Sequence, residues 1–152
     1  YFHTISRMVK CVEANVADLV LMGITSTYPS EKYGYVVPSK VSVDLFNLCS
    51  CKMVSRFTEK PTVEKAKELL SVNAYWNGGV FAFRLGYMMN IVHKYMQSDS
   101  FEETRARYSE FPKISFDYEV AEKAESVAVV PFKASGKILV PGTLLQMNSI
   151  SM

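Results

Sequence analysis

Glu59 and Lys60 stand together in VSRFTEKP, one charge of each sign at the end of a segment that alternates like a strand. In open α/β sheets, ligands bind at strand ends. A carboxylate that accepts from hydroxyls and an ammonium that meets an anion suit such a place. The plainer alternative is an exposed ion pair beside Pro61, worth little energetically. Further on, Asn77 precedes Gly78 and Gly79. An amide both donates and accepts, and glycines admit close backbone approach; the alternative is a turn into a strand. Asp117, in ISFDYEVAEK, is either a third polar site group or an acid at the positive start of a helix. Other chemistries lack their residues. There is no GxSxG, HExxH, Walker loop or GxGxxG. His3 and His93 have no evident partners and read as surface or half-buried structural histidines. Trp76 and the other aromatics read as core, although a ring beside Asn77 also suits the wall of a sugar site.

The elements that position these residues follow from periodicity. Phe2, Ile5, Met8, Val9 and Val12 recur at helical spacing, which predicts an amphipathic helix closing near Asn15. DLVLMGI, residues 18–24, is an unbroken apolar run, as expected of a strand buried on both faces of a parallel sheet. STYPSEKYGY is rich in turn formers, so residues 26–38 read as loop with a short extended piece. VSVDLF and MVSRFTE alternate and predict a hairpin through NLCSC. Thr62 is placed to cap a helix with Val63, Ala66, Leu69 and Leu70 on one face, ending near Asn73. Residues 80–83 predict a strand entered through the glycine pair, followed by helices over 87–97 and 101–108. Ser115 is placed to cap a helix over FDYEVAEKA, and SVAVVPF is a second buried strand. Strands alternating with helices predict a three-layer α/β arrangement.

Composition bounds the function. The chain has 152 residues, 49% hydrophobic and 21% charged, with a net charge of +2, which fits one globular domain. No basic run marks a nucleic-acid partner. No apolar stretch reaches the ~20 residues that span a bilayer, and the start YFHTISRMVK lacks a signal's apolar core. A cytoplasmic protein with no membrane partner is the expectation. Cys11, Cys49 and Cys51 have no zinc spacing and read as reduced thiols.

Taken in order, GITSTYPSEKYGYVVP, VSRFTEKPTVEKAKELL, YWNGGVFAFRLGYMM and ISFDYEVAEKAESVAVVPF form a series. The series resembles the sugar-1-phosphate nucleotidyltransferases, in detail the mannose-1-phosphate guanylyltransferases. The likeness runs from about Phe2 to Phe132. It implies a Rossmann-like three-layer nucleotidyltransferase fold, of which residues 1–133 are the sugar-phosphate-binding half. It further implies transfer of GMP from GTP to mannose 1-phosphate, giving GDP-mannose and pyrophosphate. By resemblance, Glu59 accepts from hexose hydroxyls, Lys60 contacts the sugar phosphate as the catalytic cation, and Asn77, Gly78 and Asp117 line the substrate site. Gly34 resembles a family glycine whose backbone N–H faces the sugar, with Lys32 where many members carry another glycine. Two further readings are a non-catalytic sugar-phosphate-binding chain and a glucose-1-phosphate nucleotidyltransferase using another base.

The family's glycine-rich triphosphate loop does not occur in this sequence. The resemblance also implies Mg²⁺, held by the aspartate of a W-x-D-L-G-T-W block expected just after Pro131-Phe132. Residues 134–152 are off-pattern there. Under one choice of synonymous codons, a one-base shift of frame near Lys133 turns Ala134–Asn148 into KWKDLGTWNTLTDE, the expected block. No metal or site residue is therefore assigned beyond Lys133, and the chain alone is expected to be inactive. An exposed apolar sheet edge, left where leading strands would pair, predicts self-association.

Overall fold

The computed structural model describes residues 1–44, 50–98, 100–133, 138–140 and 143–145. Helix α1 spans Phe2–Glu13 and leads into strand β1, Leu19–Thr25. A hairpin follows from β2, Tyr35–Asp44, and β3, Ser50–Thr58; its connection at residues 45–49, with Cys49, lies outside the described residues. Helix α2, Val63–Ser71, precedes β4, Tyr75–Phe83. Helices α3, Leu85–Tyr95, and α4, Phe101–Ala106, then lead through a 3-10 turn at Tyr108–Glu110 to a single π-helical turn at Asp117–Ala121 and to β5, Val127–Phe132. The tail contributes two short paired antiparallel strands, β6, Ile138–Val140, and β7, Thr143–Leu145. The rest of residues 134–152, on which the shifted-frame reading falls, lies outside the described residues.

The five main strands close on themselves in the order β1-β4-β2-β3-β5. Only the β1–β5 pair is parallel; β1–β4, β2–β3, β2–β4 and β3–β5 are antiparallel. The sheet is thus mixed, not the parallel one expected from the DLVLMGI run. Among the described residues the free apolar edge expected beside these strands is also not found: β5 pairs with β1 on one side and with β3 on the other.

Burial on both faces of β1 has a direct cause in its side-chain alternation. Val20 and Met22, with Ala128 and Val130 of β5, face Met8, Cys11 and Val12 of α1. Leu19 and Leu21, with Val127 and Val129, face Val36, Phe57 and Ala121 of the π-helical turn. One face of β1 and β5 is thus covered by α1 and the other by residues within the closed sheet together with the π-helical turn, a mixed α/β arrangement. The buried stripe of α1 is Thr4, Met8, Cys11 and Val12, while Phe2 and Val9 are exposed. Thr4, Met8 and Cys11 fall at i, i+4 and i+7, and their centre sets the face that meets the sheet. Ala66 and Leu69 of α2 pack under Tyr35 and Trp76 in a third cluster. The Thr62 hydroxyl accepts from the Lys65 N–H at 3.3 Å, the cap expected there.

Several elements differ from the sequence reading: the helix expected over residues 116–124 is a single π-helical turn at Asp117–Ala121, that expected over 101–108 closes at Ala106, and that expected over 87–97 spans Leu85–Tyr95. β2 begins at Tyr35 and runs through Pro38, where its pairing with β3 shifts register. Proline has no N–H for a ladder, so a register shift is where a strand tolerates it. Asn77, Gly78 and Gly79 lie within β4, where they form a bulge: Leu21 pairs Phe81 but Gly23 pairs Asn77. Gly79 adopts φ 66°, open to glycine at little cost, and a Cβ on Gly78 would sit 2.8 Å from the Met22 carbonyl. Both glycines therefore serve the bulge.

Candidate functional site

Three neighbouring strand ends bring the candidate residues together. β4, β2 and β3 are adjacent in the sheet, with Tyr35 opposite both Trp76 and Thr58. Gly34 just before β2, Asn77 early in β4 and Glu59 just after β3 are consequently side by side. The Asn77 N–H donates to the Gly34 carbonyl at 2.7 Å. A Cβ on Gly34 would overlap Glu59 Oε2 and lie 3.3 Å from the Asn77 Cβ. Glycine at 34 is what lets the Glu59 carboxylate occupy this corner.

Glu59 is the least ordinary group here. Its side chain is 6% exposed, and Oε2 is buried with no hydrogen-bond partner among the described residues. Lys60 Nζ lies 3.5 Å from Oε1 but is itself 56% exposed, so it compensates the carboxylate only in part. Burial, and next the negative charge of Asp117, push the Glu59 carboxyl above its ordinary value, against the opposing pull of Lys60. Lys60 has φ 39°, left-handed backbone that costs a non-glycine residue on the order of 1 kcal/mol. Such a turn sharply redirects the chain at the site.

Asp117 reaches the same corner from the π-helical turn, accepting from Asn77 Nδ2 at 2.7 Å. Asn77 Oδ1 accepts from the Gly79 N–H at 3.0 Å, which connects the bulge to the site. Five polar or backbone contributors, Gly34, Glu59, Lys60, Asn77 and Asp117, thus converge. Gly78 is adjacent, but its requirement is the close approach to Met22. His3 is exposed, and half-buried His93 contacts the Ser98 carbonyl at 3.2 Å, away from this cluster. Among the described residues no group of three or more His, Cys, Asp or Glu side chains is placed to hold a metal ion. No helix among them is long and apolar enough to cross a membrane.

Sequence reasoning passed over the aromatic loop beside the site. Tyr28 and Tyr33 pack on Trp76 with ring centres 4.9 and 5.0 Å away, and Trp76 is buried as core. The Tyr35 hydroxyl accepts from the Ser30 N–H at 2.8 Å. Burial and the neighbouring Tyr28 push the Tyr33 phenol up to about 12. The three tyrosines of STYPSEKYGY were the available signal, overlooked because its turn formers dominate. Lys32 is exposed, and its N–H donates to the Ser30 hydroxyl at 3.2 Å.

Comparison with known proteins points to one family. The pattern of a family described as nucleotidyl transferase matches residues 1–120. A mannose-1-phosphate guanylyltransferase of Sinorhizobium fredii is 31% identical over 137 residues, covering 79% of this chain and 26% of that protein. One of Escherichia coli K12 is 30% identical over 138 residues, 80% of this chain and 29% of that protein. The alginate biosynthesis protein AlgA of Pseudomonas syringae is 29% identical over 140 residues, 81% of this chain and 28% of that protein. The chain thus spans between a quarter and a third of the length of these relatives. A Thermus thermophilus crystal structure titled mannose-1-phosphate geranyltransferase superposes with a TM-score of 0.67 at 29% identity, covering 85% of this chain and 38% of that one.

Proposed function

The chain belongs to the nucleotidyl transferase family, and we propose that its cluster at the β4, β2 and β3 ends holds the hexose 1-phosphate side of a nucleotidyl-transfer site. The observation that carries this reading is the Oε2 of Glu59, buried beside Gly34 with no hydrogen-bond partner among the described residues. An orphaned buried acceptor costs about 1–3 kcal/mol, which a hydroxyl-bearing ligand offsets by donating to it. Lys60, half in solvent at the rim, supplies a positive charge for the ligand's phosphate. Asn77 adds a donor and an acceptor for ring hydroxyls.

The names of the relatives favour mannose 1-phosphate as the sugar and GTP as the nucleotide. In that reaction a phosphate oxygen of the sugar phosphate attacks the α-phosphorus of GTP in line, and the α–β bond breaks to release pyrophosphate. This chain's part is to bind the sugar, fix its phosphate beside Lys60 and exclude water from Glu59. Mg²⁺ does not fit the described residues. Glu59 and Asp117 are only two carboxylates, and Asp117 is already engaged by Asn77. No step is assigned to the ion.

Separate calorimetric titrations with mannose 1-phosphate, glucose 1-phosphate and GTP test the proposal. Mannose 1-phosphate is expected to bind in the absence of GTP and to weaken about tenfold or more in Glu59→Gln. Binding of GTP but of neither sugar phosphate overturns it, as does unaltered affinity in the variant.

A further inference from the structure

Resting on that reading of the site, we infer that Asp117 is a positioning residue, whose task is to lock the side-chain amide of Asn77 in the one orientation that offers a donor to the sugar. Both ends of the amide are fixed. Oδ1 takes the Gly79 N–H at 3.0 Å, and Nδ2 gives a hydrogen to Asp117 Oδ1 at 2.7 Å. Turning the amide over would set N–H against N–H and oxygen against carboxylate, exchanging two attractions for two repulsions. What remains for a ligand is one N–H and one lone pair, in known places. Holding them there before binding spares the entropy of ordering them afterwards.

The side-chain contact at the start of the helical turn of Asp117 comes from Ser115. The Ser115 hydroxyl accepts from the Tyr118 N–H at 3.4 Å, and the Ser115 carbonyl accepts from the Glu119 N–H at 3.0 Å. The Asp117 carboxylate instead reaches across 40 residues of sequence to Asn77. Its own position is set by the core, because Val120 and Ala121 of the same turn are buried, Ala121 among Leu19, Leu21 and Val129. The bulge and the π-helical turn thus meet at one amide. Each is an irregularity in its element, and each supplies one of its two partners.

Two substitutions separate the roles. Asn at 117 keeps an oxygen at the same reach, whereas Ser keeps an acid-free capping side chain but is too short to meet Asn77. The test is mannose 1-phosphate affinity of the full chain for the wild type, D117N and D117S, with the Asn77 side-chain NH₂ signals followed by ¹⁵N NMR. D117N is expected within about threefold of the wild type and D117S about tenfold weaker. The Asn77 amide proton given to Asp117, shifted and protected from exchange with water in the wild type and D117N, is expected to move towards the position of a free amide and exchange faster in D117S while backbone signals away from the site persist. Equal affinity of D117S and wild type overturns the inference. So does an equal loss in both variants, which would mark the charge of Asp117 as a direct ligand contact. If the wild type binds no sugar phosphate, the functional reading falls, and the NMR comparison still decides: an Asn77 signal pair unchanged in D117S rejects the locking role.

Discussion

Glu59 holds an arrangement that works against the stability of the fold. Its carboxyl is pushed above the ordinary value near 4.5, chiefly by burial. A folded-state value above the unfolded one means that the folded chain binds the proton more tightly. Its contribution to stability is full below about pH 4.5 and is lost as pH rises through the raised folded value. The ionised form of Glu59 therefore lowers stability relative to the protonated one. Glu59→Gln removes the titration, so the variant is expected to melt higher than the wild type at pH 7, by roughly 2–4 °C for each kcal/mol recovered. The excess should shrink as the pH falls towards 4.5. Melting curves of both proteins across this range check it, and a difference independent of pH would sink the assignment of the effect to Glu59 ionisation. The same variant loses sugar-phosphate affinity under the proposed function, so stability and binding move in opposite directions at one residue.

At the scale of elements, the bulge in β4 joins the sheet to the site, and its two glycines serve different needs. Gly79 requires φ 66° but has open space around it, whereas a Cβ on Gly78 would press on the Met22 carbonyl. Backbone cannot step aside as a flexible side chain does. Gly78→Ala is therefore expected to cost about 2 kcal/mol or more, against about 1 kcal/mol for Gly79→Ala, whose cost is the left-handed conformation alone. Urea midpoints of the two variants rank them; a larger loss at Gly79 would mean that the close approach to Met22 is readily relieved. This bulge also marks the limit of what the sequence discloses. β1 and β5 were legible because an unbroken apolar run of strand length has few other solutions, and α2 because its cap and stripe agree. The extent of β4 was not, since Asn-Gly-Gly reads locally as a turn and only pairing with β1 keeps it in the sheet. Pro38 misled in the same way, because its tolerance depends on a register shift against β3. The sheet's closure is likewise set by pairings between strands distant in sequence. In the site, Glu59, Lys60, Asn77 and Asp117 were all legible as candidates. The Asn77–Asp117 bond was not, because a contact across 40 residues leaves no local pattern.

For the whole molecule, the three apolar clusters are tied by shared strands and should unfold as one. Tyr35 belongs to the third cluster and Val36, its neighbour in β2, to the second. Along β4, Trp76 sits in the third, Phe81 packs on the second, and Val80 and Ala82 pack on the first. No cluster can open without breaking strand pairs that the others need, which is the structural basis of a cooperative transition. Trp76 is the only tryptophan in the sequence and reports on the third cluster alone, whereas far-UV circular dichroism reports on the whole chain. Leu69 of α2 is fully buried beneath Trp76. Leu69→Ala should cost about 2–5 kcal/mol through lost transfer energy and the space left behind. A cooperative molecule passes that loss to every probe, so Trp76 emission and circular dichroism should shift to the same lower midpoint. If the Trp76 signal moves first and dichroism keeps its wild-type midpoint, α2 and the loop over Trp76 open independently. Glu59 and Asn77 would then stand at the border of a separately unfolding unit, and the site would lose its shape well before the sheet does.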